Sequence, residues 1–73
     1  MITVYTKPSC VQCDATKRHL TKLNLEFTAV DVTADTGSYD MIVDMGFQSV
    51  PVVITENDAW AGYQPEKIDK LVA

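Results

Sequence analysis

Residues 2–13 read Ile2-Thr3-Val4-Tyr5-Thr6-Lys7-Pro8-Ser9-Cys10-Val11-Gln12-Cys13 and contain both cysteines of the chain. The first four of these residues are β-branched or aromatic and predict a strand. The following four include a proline and predict a turn. The cysteines then stand at C-x-x-C spacing at the start of a helical pattern. A strand that leads through a turn into C-x-x-C at a helix start is typical of a redox site.

The rest of the pattern predicts an alternating fold. Cys13, Thr16, Leu20 and Leu23 recur on one helix face, which predicts a helix over residues 11–23. Further elements are predicted as a strand at 26–31, a helix at 38–45, strands at 52–55 and 59–61, and a last helix from Pro65. The order β-α-β-α-β-β-α is that of the thioredoxin fold in its small, glutaredoxin-like form. This predicts an α/β protein with a mixed four-stranded sheet and helices on both faces.

The same periodicities predict which side chains are buried. In the second helix, Tyr39, Ile42, Val43 and Met45 are expected to point inward, with Met41 also a core residue, and Gly46 is expected to end the helix. The last helix is expected to bury Ile68, Leu71 and Val72. His19 is expected to face solvent from the middle of the first helix.

Length and charge exclude several classes of function. The 73 residues suffice for one domain, residues 1–73, and the net charge of −4 with six Lys and Arg residues argues against nucleic-acid binding. No apolar run approaches the roughly 20 residues of a membrane span. No signal-peptide pattern is visible, so we expect a cytoplasmic protein. In a reducing compartment, paired cysteines are more often catalytic or metal-binding than structural.

The cysteine pair can complete a thiol–disulfide exchange cycle. Cys10 precedes the helix and is predicted to be the exposed nucleophile, and Cys13 lies within the first turn and is predicted to be the buried resolving thiol. A purely structural disulfide is disfavoured, because closing so short a loop removes only roughly 2 kcal/mol of chain entropy. A closed zinc site would need two more ligands, and His19 is the only histidine. No metal is therefore expected.

Val50-Pro51 is a second component of the predicted site. Proline in a sheet is confined to an edge or to the first residue of a strand, and Pro51 directly precedes the predicted strand. The thioredoxin fold has a cis-proline at this place, opposite the C-x-x-C motif. We therefore predict a cis Val50-Pro51 bond that leaves the backbone of Val50 free to pair with an extended substrate strand.

Three segments together resemble the NrdH-redoxins, small glutaredoxin-like proteins that function like thioredoxins. The segments are Cys-Val-Gln-Cys at 10–13, Ser-Val-Pro-Val-Val at 49–53 and Trp-Ala-Gly-Tyr-Gln-Pro at 60–65. The resemblance covers essentially the whole chain. It implies electron donation to class Ib ribonucleotide reductase, with re-reduction by an FAD-containing thioredoxin reductase that uses NADPH. It implies no cofactor on this chain itself, and Cys10 and Cys13 carry over as nucleophile and resolving cysteine. We expect a monomer.

The third segment departs from the family's usual Trp-Ser-Gly-Phe-Arg-Pro. Ala61, Tyr63 and Gln64 stand where the family has Ser, Phe and Arg, which removes one hydroxyl and one cation and keeps the aromatic ring. Trp60 has two compatible interpretations, as a core aromatic and as a docking residue. The residues predicted to bind partners are Val11, Gln12, Val50, Pro51, Trp60, Gly62 and Tyr63.

Two other functions remain open. A glutathione-dependent dithiol glutaredoxin would commonly carry a Gly-Gly-x-Asp turn before the last helix, and residues 60–65 do not contain one. An iron–sulfur carrier, or a redoxin-fold binding module without turnover, is the second alternative. Cluster-carrying relatives typically have Ser at the second position of the motif, where this chain has Cys13.

Overall fold

The fold is a mixed four-stranded sheet with the strand order β2-β1-β3-β4. It is seen in a computed structural model that describes residues 1–72. Strand β1 is parallel to β2 and antiparallel to β3, and β3 is antiparallel to β4. The elements are β1 (Thr3–Thr6), α1 (Val11–Lys22), β2 (Thr28–Asp31), α2 (Thr36–Asp44), β3 (Val52–Ile54), β4 (Ala59–Ala61), α3 (Pro65–Asp69) and a final 3₁₀ turn (Lys70–Val72).

The predicted fold class is confirmed, and most element boundaries lie within two residues of the prediction. Strand β2 begins at Thr28 because its partner strand begins at Thr3, with which Thr28 is paired. Within residues 1–72, no helix is long and apolar enough to cross a membrane.

Side chains alternate across the sheet, so each face has its own small core. On one face, Val4, Val53 and Trp60 pack with Leu20 of α1 and Ile68 of α3. On the other face, the core is formed by Val32, Ile42 of α2 and Val52. The period of two along β3 sends the neighbouring Val52 and Val53 to opposite sides. Helices therefore cover both faces, as predicted.

The strand directions bring three loops to one edge of the sheet. Strand β1 ends at this edge and continues towards Cys10. Because β3 is antiparallel to β1, β3 starts at the same edge, directly after Pro51. Because β4 is antiparallel to β3, it ends there too, directly before Gly62. The topology alone thus makes the three segments of the predicted site neighbours.

The first helix follows its predicted pattern. Cys13, Thr16 and Leu20 are buried, and Leu23 packs half-buried against the core. The helix ends where Asn24 adopts a left-handed φ of +59°, a conformation that stops helices and that asparagine tolerates.

The predicted orientation of α2 is wrong except at one residue. Ile42 is buried with 1% exposed surface, whereas Val43 has 46%. The nine-residue helix contacts only a small core, and Phe47 from the following loop packs against that core as well. Gly46 ends this region with φ +97°, as predicted. The side chains that were predicted to be inside and are exposed are Tyr39, Met41, Val43 and Met45.

The burial of the last helix also differs from the prediction at one residue. Ile68 is fully buried and Leu71 half-buried, but Val72 is exposed, contrary to the prediction. The α-helix ends at Asp69 and gives way to the 3₁₀ turn. Three residues per turn instead of 3.6 change which side chains share a face.

Adjacent substitutions in α2 test its orientation. Ile42→Ala should lower the free energy of unfolding by about 2–5 kcal/mol, because it empties a buried site. Val43→Ala, one residue further along the same helix, should change it by no more than about 0.5 kcal/mol. Urea unfolding followed by circular dichroism measures both. Equal losses from the two variants would contradict the observed orientation.

Candidate functional site

Cys10 lies at the N-terminal end of α1, where the turn after β1 delivers it. Ser9 takes a left-handed φ of +58°, and Cys10 is extended, with φ −110° and ψ 108°. Cys10 therefore caps the helix, and the backbone N–H of Cys13 donates a hydrogen bond to its Sγ at 3.1 Å. Cys10 and Cys13 are joined by a disulfide, with their Cα atoms 5.2 Å apart.

The two sulfurs differ in their access to a partner. Cys10 has 9% exposed surface and Cys13 has none. The predicted order of exposure is confirmed, although Cys10 is itself mostly covered in the disulfide form. Between them, Val11 is 83% exposed and stands out beside the bond. An incoming group therefore reaches this disulfide from the side of Cys10.

The same helix end suits a negatively charged sulfur. In this structure the Cys13 N–H and the positive end of the α1 dipole both face Cys10. Both favour the thiolate form, which is the nucleophilic form of cysteine. The arrangement can therefore support attack by Cys10 on a second disulfide.

The Val50-Pro51 peptide bond is cis, as predicted. Pro51 is buried, and Val50 is half-buried and packs against the α2-side core. Val50 also borders a cleft of about 240 Å³, which runs between the turn after β1, α2 and the loop before Pro51. Lys7, Tyr39 and Gln48 also line this cleft.

The segment Gly62-Tyr63 is bonded to both of the other loops. The Gly62 N–H donates to the Pro51 carbonyl at 2.8 Å. The Tyr63 N–H donates to Oε1 of Gln12, inside the C-x-x-C motif, at 3.0 Å. Of the predicted docking residues, the structure thus brings Gln12, Pro51, Gly62 and Tyr63 into one hydrogen-bonded group.

Two features favour glycine at position 62. Its φ is +81°, a conformation that residues with a Cβ rarely adopt. A Cβ placed there would also lie 3.3 Å from Oε1 of Gln12, closer than an ordinary contact. Gly62 thus holds a backbone conformation that suits glycine.

Ala61 and Gln64, which replace the family's usual Ser and Arg, are hydrogen-bonded to each other. The side-chain amide of Gln64 donates to the Ala61 carbonyl at 2.9 Å. Gln64 also precedes Pro65, the first residue of α3, and makes no side-chain cap of that helix. In this chain an amide therefore bridges the turn at the position where the family has a cation.

The Trp60 side chain is a core residue. Only 3% of its surface is exposed, and it packs with Val4, Leu20 and Ile68. The Lys67 ammonium lies 5.7 Å from the ring centroid, within the range of a cation–π contact. The core interpretation of Trp60 is thus confirmed. The predicted docking role would have to use the small surface that remains.

His19 is placed differently from its prediction. Its side chain is only 16% exposed, and both ring nitrogens have partners. The Tyr63 hydroxyl lies 2.8 Å from Nδ1, and Oδ1 of Asp69 lies 2.9 Å from Nε2. The sequence contains one weak indication of this burial. His19 follows the buried Thr16 by three residues and therefore lies next to the buried face of α1.

Within residues 1–72, no group of three or more histidine, cysteine, aspartate or glutamate side chains is arranged to hold a metal ion. The one pair of sulfurs is occupied by its own bond. The two cysteine sulfurs offer the chemistry of thiol–disulfide exchange.

Comparisons with known proteins agree with this geometry. The glutaredoxin family model matches residues 2–60. The Gene 56 protein of Mycobacterium phage L5 is 42% identical over 97% of this chain and 71% of its own length. The glutaredoxin-like protein NrdH of Salmonella typhimurium is 39% identical over 96% of this chain and 86% of its own.

The similarity extends to three dimensions. A solved structure of the glutaredoxin-like protein NrdH-redoxin from Escherichia coli superimposes with a TM-score of 0.94 at 36% identity, covering 96% of this chain and 92% of that one. Fold, cysteine pair and sequence agree. The chain belongs to the glutaredoxin family, among its NrdH-redoxin members, and is a thiol–disulfide oxidoreductase.

Proposed function

We propose that this chain carries electrons from an FAD-containing thioredoxin reductase, and so from NADPH, to class Ib ribonucleotide reductase. The observation that carries the proposal is the bonding of residues 61–64. Glutathione-using glutaredoxins commonly bind the peptide ends of glutathione at a Gly-Gly-x-Asp turn in this place. Here the Tyr63 N–H is already bonded to Gln12, and the Gly62 N–H to Pro51.

The comparison with the Escherichia coli NrdH-redoxin supports the same electron source. That protein is described as glutaredoxin-like with a thioredoxin-like activity profile. The present chain matches it over 96% of its own length.

The proposed cycle needs only the two cysteines. The Cys10 thiolate attacks one sulfur of the partner's disulfide, and the other partner sulfur leaves as a thiolate and takes up a proton. The Cys13 thiol then loses its proton and attacks Sγ of Cys10 in the mixed disulfide. The Cys10–Cys13 bond forms, and the second partner thiol is released. Two electrons have passed to the partner, and the reductase returns two through the reverse sequence.

Burial supports this assignment of the two cysteines. Cys10 is the cysteine with exposed surface, so it is the one that a partner protein can approach. Cys13 is fully buried and lies beside Cys10, so it attacks only an intramolecular target. Because one such pair completes the cycle, we propose that the chain acts as a monomer.

The proposed docking surface surrounds Cys10. Val11 projects from it, the Gln12 and Tyr63 pair forms one side, and the backbone of Val50 beside its cleft forms the other. The proposal locates the exchange in the cytoplasm, because its electrons come from NADPH. Neither cofactor is bound by this chain; FAD and NADPH belong to the reductase.

The electron source is tested by two assays run side by side. With NADPH, insulin as the terminal disulfide and the same concentration of the chain, thioredoxin reductase should support turnover at least about tenfold faster than glutathione with glutathione reductase. Turnover with glutathione at the same rate or faster would contradict the proposal. Visible absorption of the anaerobically purified protein would instead favour an iron–sulfur carrier.

The roles of the cysteines are tested by trapping. Cys13→Ser should accumulate a mixed disulfide with the partner through Cys10, because the resolving attack is removed. Cys10→Ser is the matched control and should form none under the same conditions, since Cys13 is buried. Non-reducing electrophoresis and mass spectrometry identify the bonded cysteine. A trapped adduct through Cys13 in the control would reverse the assignment.

A further inference from the structure

Two side-chain hydrogen bonds connect Tyr63, beside the redox site, to helix α3 through His19. Tyr63, beside the C-x-x-C motif, contacts His19 through its hydroxyl, and His19 contacts Asp69 of α3. The bonded atoms are 2.8 Å and 2.9 Å apart. The His19 and Tyr63 rings also meet edge to face, with centroids 5.8 Å apart.

The Asp69 carboxylate fixes the direction of its own hydrogen bond, and the protonation of the His19 ring sets the direction of the other. An ionised carboxylate can only accept, so Nε2 of His19 donates to Asp69. A neutral imidazole that donates from Nε2 has an acceptor at Nδ1. In that tautomer the Tyr63 hydroxyl donates to Nδ1, whereas in the imidazolium Nδ1–H donates to the hydroxyl, so the contact forms in either case. Asp69 orients His19, and His19 in turn orients Tyr63.

The hydroxyl that makes this contact is a feature of this chain. The family segment to which residues 60–65 were compared has Phe where this sequence has Tyr63, and a phenyl ring cannot donate to His19. The backbone of Tyr63 is meanwhile held by Gln12, whose neighbour Cys13 forms half of the disulfide. Tyr63 is thus fixed at both ends, by its amide to the redox loop and by its hydroxyl to α1.

We propose that His19 is a positioning residue, which acts through the Tyr63 hydroxyl to hold the Tyr63 ring in the orientation that partner proteins dock against. The inference rests on the proposed function in one respect, namely that partners approach over the Tyr63 side of Cys10. His19 touches neither sulfur in the described contacts, so it is not a catalytic residue. Its contribution should appear in partner binding and leave the exchange chemistry unchanged.

The experiment compares variants that remove one contact each. Tyr63→Phe removes the hydroxyl and keeps the ring. His19→Gln puts an amide near the place of Nε2 and keeps the contact to Asp69. His19→Asn puts an amide near the place of Nδ1 and keeps the contact to Tyr63. Thr21→Gln, at an exposed position on α1 outside the cleft that His19 and Tyr63 line, is the control and should leave KM unchanged.

The readout is the separation of KM from kcat for the redoxin as substrate of thioredoxin reductase. Tyr63→Phe and His19→Gln should each raise KM about two- to tenfold, the weight of one hydrogen bond, with kcat within about twofold of wild type. The double variant should be no worse than the worse single variant, because both remove the same contact. His19→Asn should retain more of the wild-type KM than His19→Gln.

Three results would overturn the inference. They are KM effects that multiply in the double variant, a fall in kcat with unchanged KM, and a loss confined to the melting temperature. The last would make His19 a structural link between α1 and α3. If wild type itself is not a substrate of the reductase, the proposed function fails. The inference is then decided by the same variants, chemically reduced and assayed for KM towards insulin disulfides.

Discussion

Two hydrogen bonds donated by backbone N–H groups hold the loops around the cysteine pair together. Gly62 donates to the Pro51 carbonyl, and Tyr63 donates to the Gln12 side chain. Each joins a segment that is distant in sequence to one of the other two. The sheet makes the C-x-x-C helix end, the cis-proline loop and the loop after β4 neighbours, and these two bonds connect the three segments directly. With them, the surface around Cys10 has a defined shape.

The sheet makes these bonds possible. Since β1 is central and β3 and β4 alternate in direction, the end of β1, the start of β3 and the end of β4 all lie at one edge. The cores on the two faces fix the strands, and the N-terminal end of α1 brings an electropositive helix end to the same place. A protein this small can therefore place one reactive sulfur at an edge while its partner sulfur stays buried.

Much of this could be predicted from local patterns. Some features depend only on the residues at their own positions and could therefore be predicted. They are the period-two strands, the buried face of α1, the C-x-x-C motif, the proline before β3 and the glycine at 62. The exposed side of α2 could not be predicted, because Phe47, outside the helix, packs against the core that Tyr39 and Val43 were expected to join. His19 was also missed, because its partners lie 44 and 50 residues further along the chain.

In the proposed function, docking depends on residues 62 and 63 being held against the redox loop, and two glycines allow a matched test. Gly46 and Gly62 both have positive φ, so alanine strains the backbone at either position. An added Cβ meets nothing within 4 Å at Gly46, but at Gly62 it lies 3.3 Å from Gln12. Measured with thioredoxin reductase well below the melting temperature, kcat/KM should fall at least about tenfold for Gly62→Ala and stay within about twofold of wild type for Gly46→Ala. Equal kcat/KM values for the two variants would contradict the account.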